Sequence, residues 1–227
     1  MKLSQRIFTF GILPALFFQA IGAYFYFLFS EASISQILYA STKVFIFVWP
    51  LFWLISARKQ FPQWITRHKQ SILWGFFSGL LICLVSAAVF LLWKDQLVPD
   101  LSGIQEKANN FGLTTPLRYL LFSLFLSLFH SLIEEYYWRW FVFKGLQIRL
   151  SWLPAAVLGS LAFAFHHYLV LSQFFPIGLT ILFGTLVGLA GFFWCFLYKK
   201  TGSLLGPWLS HALADLVVMG MGYLLLF

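Results

Sequence analysis

Seven stretches of about 20 predominantly apolar residues follow one another along the chain, at about Ile7–Phe29, Ile34–Ile55, Ile72–Trp93, Pro116–Lys144, Trp152–Leu171, Phe174–Tyr198 and Leu204–Phe227. At a rise of about 1.5 Å per residue, each matches the roughly 30 Å of a bilayer's hydrocarbon core. Strands of a membrane barrel would instead alternate polar and apolar positions over about 10 residues. The pattern predicts an all-α fold, a polytopic membrane helix bundle of about seven transmembrane helices (roughly six to eight), forming a single integral domain over residues 1–227.

The polar positions between these stretches carry an orientation. Basic residues recur in alternate connections: Lys2 and Arg6, then Arg58, Lys59, Arg67 and Lys69, then Lys144 and Arg149, then Lys199 and Lys200. Segments 30–35 and 172–173 have none, and 94–115 balances Lys94 and Lys107 against Asp95, Asp100 and Glu106. The positive-inside rule then predicts a cytoplasmic N-terminus and a C-terminus on the far side. Segment 94–115, with Pro99, Gly103, Asn109, Asn110 and Gly112, is the longest connection and is expected to hold a short surface helix at the entrance to a membrane site.

Composition agrees. The chain is 61% hydrophobic and 10% charged, against roughly 45–50% apolar residues in soluble domains. Its net charge of +8 resides in loop clusters, so it argues topology and membrane lipid as partner rather than nucleic acid. Cys83 and Cys195 both fall in apolar runs and read as packing residues, not as a disulfide or thiolate metal site. The first apolar run is too long for a signal-peptide core and is expected to be retained as a span.

Against this background the polar residues inside the spans stand out, because an ionisable group in hydrocarbon is costly and needs partners. Only seven acidic residues exist, and two are adjacent in Glu134-Glu135-Tyr136-Tyr137-Trp138-Arg139. Residues four apart on a helix share a face. Arg139 can therefore neutralise Glu135, while Glu134, one turn from His130 and from Trp138, points about 100° away and is left to face an interior cavity. Two further clusters occur: His166 and His167, of which at most one is expected to share that cavity, and His211 with Asp215 at helical spacing. Three polar spots on three spans escape the hydrocarbon by meeting in a shared interior. Lys43, near the middle of the second span, reads either as a lysine snorkelling to an interface or as a partner for an intramembrane acid.

Such convergence suits hydrolysis. A carboxylate can take a proton from water, an imidazole can orient or protonate, and a further polar group can stabilise an oxyanion. A Glu, His, His set with an open position equally suits a catalytic zinc. The spacing chooses neither.

At these residues the chain resembles the CPBP family, the CAAX-processing and bacteriocin-processing membrane proteases also called Abi. The matching motifs are E-E-x-x-x-R at Glu134, Glu135 and Arg139, F-x-x-x-H at Phe163 and His167, and H-x-x-x-N/D at His211 and Asp215, with Thr201-Gly202-Ser203-Leu204 and Pro207 ahead of the last. The resemblance covers a core at about 116–216. It implies an intramembrane endopeptidase acting on a peptide or membrane-protein substrate. Glu134 would activate water, His167 would assist, and His211 and Asp215 would complete the site; Glu135, Arg139 and Phe163 would support it, and His166 would be a bystander. It favours a glutamate mechanism without cofactor over zinc, whose ligands would be Glu134, His167 and His211. Where the family commonly has asparagine, this chain has Asp215, which cannot donate to an oxyanion when ionised; it must then be protonated, orient His211 or ligate a metal, and orientation of His211 is the favoured task. The implied setting is a bacterial cytoplasmic membrane. Prenylated CAAX proteins, leader peptides and sorting-tail proteins are all compatible substrates, the first being the least expected in a bacterial-looking chain.

Two other functions fit the same residues: a non-catalytic, immunity-type membrane binding protein on the same fold, and a proton-coupled carrier. The chain has no inverted repeat of the kind carriers use. One geometric difficulty stands against a shared site. His167 lies about 22 Å along its helix from Trp152, whereas Glu134 is only about 7 Å from Arg139, so the two meet only if helices tilt or a deep cavity joins them.

Overall fold

The structure, a computed structural model, describes residues 2–26, 33–57, 65–97 and 101–227. Among them the chain forms helices and no strand: α1 Leu3–Tyr24, α2 Ser33–Ala57, α3 His68–Leu97, α4 Ser102–Asn110, α5 Pro116–Leu146, α6 Trp152–Leu171, α7 Ile177–Thr201 and α8 Leu205–Leu226. All of these except α2 and α4 are long and apolar enough to cross a membrane. The second expected span is helical, but its apolar part, Ala40–Trp53, is shorter. Arg58, Lys59, Pro99, Asp100 and the end of the first expected span at Phe29 lie outside the described residues.

Contacts between helix ends establish an alternating path. α2 runs antiparallel to α1, since Gly22 faces Thr42 while Gly11 faces Trp53 and accepts a hydrogen bond from Trp49 Nε1 at 2.9 Å. The start of α3 meets the end of α7, where Arg67 N–H donates to Thr201 O at 2.7 Å. The start of α5 meets the end of α8, where Tyr119 Oη donates to Met219 O at 3.0 Å. Successive long helices thus point in opposite directions, as short connections between membrane spans require.

Local chemistry sets several boundaries. Thr115 caps α5, with Pro116 in its first turn, where a missing N–H costs nothing. Pro176 delays α7 to Ile177, three residues later than the apolar pattern suggests, because a proline and its predecessor disfavour helix there. Gly202 ends α7 in the left-handed region at φ 63°, its N–H returning to Tyr198 O. The expected surface helix is α4, followed by Gly112 at φ 69°.

The bundle is apolar outside and polar within. Phe77, Leu81, Leu161 and Leu189 are exposed on its surface, while Glu134, Glu135, Arg139 and His211 are buried. That inversion is the arrangement a lipid solvent selects. Between helices, small residues permit close approach. Gly75 of α3 and Gly206 of α8 pack backbone against backbone, and Ser71 Oγ accepts the Gly206 N–H at 2.9 Å. The largest buried side chains, Tyr137, Trp138, Phe141 and Phe143 of α5, pack with Ile7, Ile12 and Leu16 of α1, Phe163 of α6 and Trp194 of α7.

α5 departs from regular α geometry on both sides of its carboxylate pair, widening into π-helical turns at Phe125–His130 and Tyr136–Phe143. Such turns are frequent at functional sites because they re-aim side chains. The five residues between them, Ser131–Glu135, remain α-helical and carry both glutamates.

Candidate active site

Glu135 and Arg139 form the base of the site. The guanidinium Nη1 lies 2.8 Å from Glu135 Oε1, and both side chains are essentially fully buried, at 0% and 1% exposure. Arg139 also donates from Nη2 to Gly191 O at 3.3 Å and sits over the rings of Phe163 and Trp194, 4.6 and 4.9 Å from their centroids. One helical turn, a carbonyl and two aromatic faces thus hold a charge that would otherwise be prohibitive in this interior.

Glu135 has a second partner. Its Oε1 accepts from His211 Nδ1 at 2.8 Å, so the carboxylate that neutralises Arg139 also sets the ring orientation of His211. Glu135 therefore meets the Nδ1 side of the ring that Asp215 is expected to orient. Asp215 lies on the other side of the ring, with Oδ1 3.6 Å from Nε2. Trp194 stacks on the imidazole at 4.3 Å.

Glu134 is 3% exposed and faces three imidazoles. Its Oε1 is 3.4 Å from His130 Nε2 and 3.6 Å from His166 Nε2, and its Oε2 is 3.9 Å from His211 Nε2. His166 is thus no bystander: it is buried, it approaches Glu134, and its ring lies parallel to Trp138 at 5.9 Å. His167 is close by, since ligand atoms of Glu134, His166 and His167 all lie within 4.8 Å of one another. His167 Nδ1 donates to Phe163 O at 2.9 Å; a carbonyl can only accept, so in the neutral ring Nε2 keeps the lone pair.

These side chains open onto a cavity of about 230 Å³. Its polar lining comprises Gln19, Thr42, Lys43, His130, Glu134, His166, His167, His211 and Asp215, and its apolar lining includes Ala23, Leu126, Val170, Val218 and Met219. Lys43 Nζ is 3.4 Å from His130 Nε2. Of its two sequence readings, the one that turns it inward toward the acid agrees with this position.

The difficulty over depth disappears once both residues are measured from the same end. Glu134 is about 18 Å from Leu146 at the end of α5, and His167 about 22 Å from Trp152 at the start of α6. Measuring Glu134 from Arg139 ignored the two turns by which α5 continues beyond it.

A family model described as type II CAAX prenyl endopeptidase Rce1-like matches residues 116–217. Through this segment the chain is similar to the Rce1-like CAAX proteases. No curated protein and no solved structure matches the chain. The Rce1-like segment starts with α5 and ends inside α8, so it contributes both glutamates, Arg139, Phe163, all four cavity histidines and Asp215. Gln19 of α1 and Lys43 of α2 reach the cavity from outside it.

The cavity includes residues to which the sequence assigns no part, among them His130, His166 and Gln19. His130 was noted one turn from Glu134, and that spacing was its signal. His166 was set aside on motif spacing alone. Gln19, a lone amide in the apolar run Phe17-Phe18-Gln19-Ala20-Ile21, was detectable by the rule that flagged the glutamates.

The donor set also bears on metal. Two imidazoles and one carboxylate are a common catalytic zinc set, and the Glu134, His166, His167 cluster offers it, with His166 in the place the sequence gave to His211. His167 has the outer partner that metal-binding histidines usually have, Phe163 O, whereas His166 Nδ1 is buried without a hydrogen bond. The residues fit zinc in number and type.

Proposed function

We propose that the chain is an intramembrane CAAX-type endopeptidase that hydrolyses a peptide bond of a lipid-anchored or membrane-embedded peptide, with Glu134 as the general base. The observation carrying this reading is the buried Glu134 carboxylate, ringed by imidazole nitrogens at 3.4–3.9 Å and open to a cavity with both polar and apolar walls. A bacterial cytoplasmic membrane is the proposed setting.

In the proposed reaction a water in the cavity lies between Glu134 and the scissile carbonyl. Glu134 accepts its proton as the water oxygen attacks the carbonyl carbon, whose π electrons move to the oxygen. Collapse of the tetrahedral intermediate expels the amine, which takes the proton back from Glu134. His167 hydrogen-bonds the water through Nε2, its tautomer being set by Phe163 O. His211 is held by Glu135, itself held by Arg139, and as an imidazolium it would steady the second oxygen of Glu134 through charge at 3.9 Å. The apolar wall formed by Ala23, Leu126, Val170, Val218 and Met219 suits a substrate delivered from the bilayer.

The metal-dependent alternative is favoured by one feature, the Glu134, His166, His167 cluster. Those residues would hold the ion, and zinc would supply Lewis-acid polarisation and a more acidic water.

The test is cleavage in proteoliposomes of a farnesylated peptide with a three-residue C-terminal extension, compared with a non-prenylated membrane peptide. Wild type should cleave at least one of them, and Glu134→Gln, His167→Ala and His211→Ala should each lose about 10²-fold or more. Full activity in any folded variant removes the mechanism. A biological phenotype that survives all three substitutions supports the non-catalytic binding role instead.

A further inference from the structure

The amide of Gln19 lines the same cavity as Glu134 and takes no part in the mechanism above. It stands on α1, outside the Rce1-like segment, and is 4% exposed. Trp138, four residues beyond Glu134, donates from Nε1 to Gln19 Oε1 at 3.2 Å. This contact settles which end of the amide is which, because an indole N–H can only donate and must face the oxygen. The other end, Nε2, is buried and has no hydrogen-bond partner among the described residues.

Accepting from Trp138 uses the amide oxygen only, and a buried NH₂ without an acceptor is unfavourable in the resting protein. The same group is useful if an acceptor arrives with the substrate. Hydrolysis through a tetrahedral intermediate needs donors aimed at the developing oxyanion. An ionised carboxylate cannot meet that need, and Asp215 stands at the position where an amide would be chemically apt.

We propose that Gln19 Nε2 is an oxyanion donor of this site, hydrogen-bonding the carbonyl oxygen of the scissile peptide as its charge grows. Trp138 is the positioning residue: it holds Oε1 and so leaves Nε2 as the end of the amide that can donate. No proton is transferred. The oxyanion forms when water attacks and Glu134 accepts the proton, and the hydrogen bond from Gln19 strengthens in step with that charge. The inference rests on the hydrolytic reading of Glu134, and it makes the first helix part of the catalytic apparatus.

The experiment uses the full chain in proteoliposomes with the farnesylated and non-prenylated peptides named above. Gln19→Glu keeps the size and the acceptor facing Trp138 but replaces the donor, and Gln19→Met removes the amide. Both should lower kcat by about 10²–10³-fold, the usual effect of deleting one oxyanion donor, while KM changes less than about threefold. Trp138→Phe should lower kcat by about tenfold, again with little change in KM, since the amide remains but can turn. A kcat within about threefold of wild type in either folded Gln19 variant overturns the proposal, as does a loss confined to KM. Glu134→Gln in the same assay separates the two readings. If it still cleaves, the hydrolytic mechanism falls and this inference with it; if it is inactive while Gln19→Met cleaves like wild type, only the role of Gln19 falls.

Discussion

Glu134 and Glu135 are adjacent and chemically identical, yet their surroundings assign them opposite consequences on substitution. Glu135 is bound to Arg139 and His211 at 2.8 Å each. Glu135→Gln would leave the buried guanidinium uncompensated, at a cost of about 3–5 kcal/mol. The expected result is a markedly lower melting temperature in detergent. Glu134→Gln, whose partners are imidazoles at longer range, should melt close to wild type while losing cleavage. A Glu135→Leu, Arg139→Met double variant should be more stable than either single change, because it removes both charges together; a thermal double-mutant cycle measures the coupling. Activity should not return with stability, since His211 then lacks its Nδ1 acceptor.

Metal content gives a second discrimination among single residues. The sequence pointed to Glu134, His167 and His211 as a zinc set, whereas the atoms that converge are those of Glu134, His166 and His167. Under the metal-dependent alternative, elemental analysis after purification in the presence of zinc should find the ion retained in His211→Ala and lost in His166→Ala and His167→Ala. Retention in His166→Ala would return the set to the motif residues.

Among the elements, α7 positions the site although none of its residues appears in the three motifs. A Cβ at Gly191 would lie 2.9 Å from Phe163 and 3.2 Å from Arg139 Nη2, and Gly191 O accepts from the same guanidinium. Gly191→Ala should therefore push α7 away from α6 and disturb Arg139, costing about 1–3 kcal/mol and slowing cleavage. Gly178→Ala on the same helix, with nothing within 4 Å of the added methyl, should be silent in both measurements. α5 shows why helical elements are only partly legible from sequence. The i, i+4 pairs His130–Glu134 and Glu135–Arg139 follow from spacing and are present. The π-helical turns on either side leave no mark in an apolar run.

At the scale of the whole molecule, the helices before residue 116 pack against the Rce1-like segment. The core of α5 packs against Ile7, Ile12 and Leu16 of α1, and Tyr137 Oη donates to Ala15 O at 2.7 Å. α3 lies along α8, with Ser78 bonded to Ser210 and Cys83 to Leu213 O. Residues 113–227 expressed alone should therefore aggregate in detergent and show no cleavage. Co-expression with residues 1–112 should restore both, as read by size-exclusion chromatography and peptide hydrolysis.

The sequence by itself determined the all-helical membrane bundle, because hydrocarbon admits few backbone arrangements and run length reports on them directly. It also determined which residues could carry chemistry, since a polar group in an apolar run is conspicuous, and it settled contacts within one helix, where spacing is geometry. Which groups meet across helices was decided by tertiary structure alone. The rotation and tilt of each span are set by close packing at positions such as Gly75, Gly191 and Gly206. A helix apolar on every side carries no periodic signal of which face turns inward. For that reason His166 joined Glu134, Glu135 rather than Asp215 took hold of His211, and Lys43 and Gln19 entered the cavity from outside the family segment.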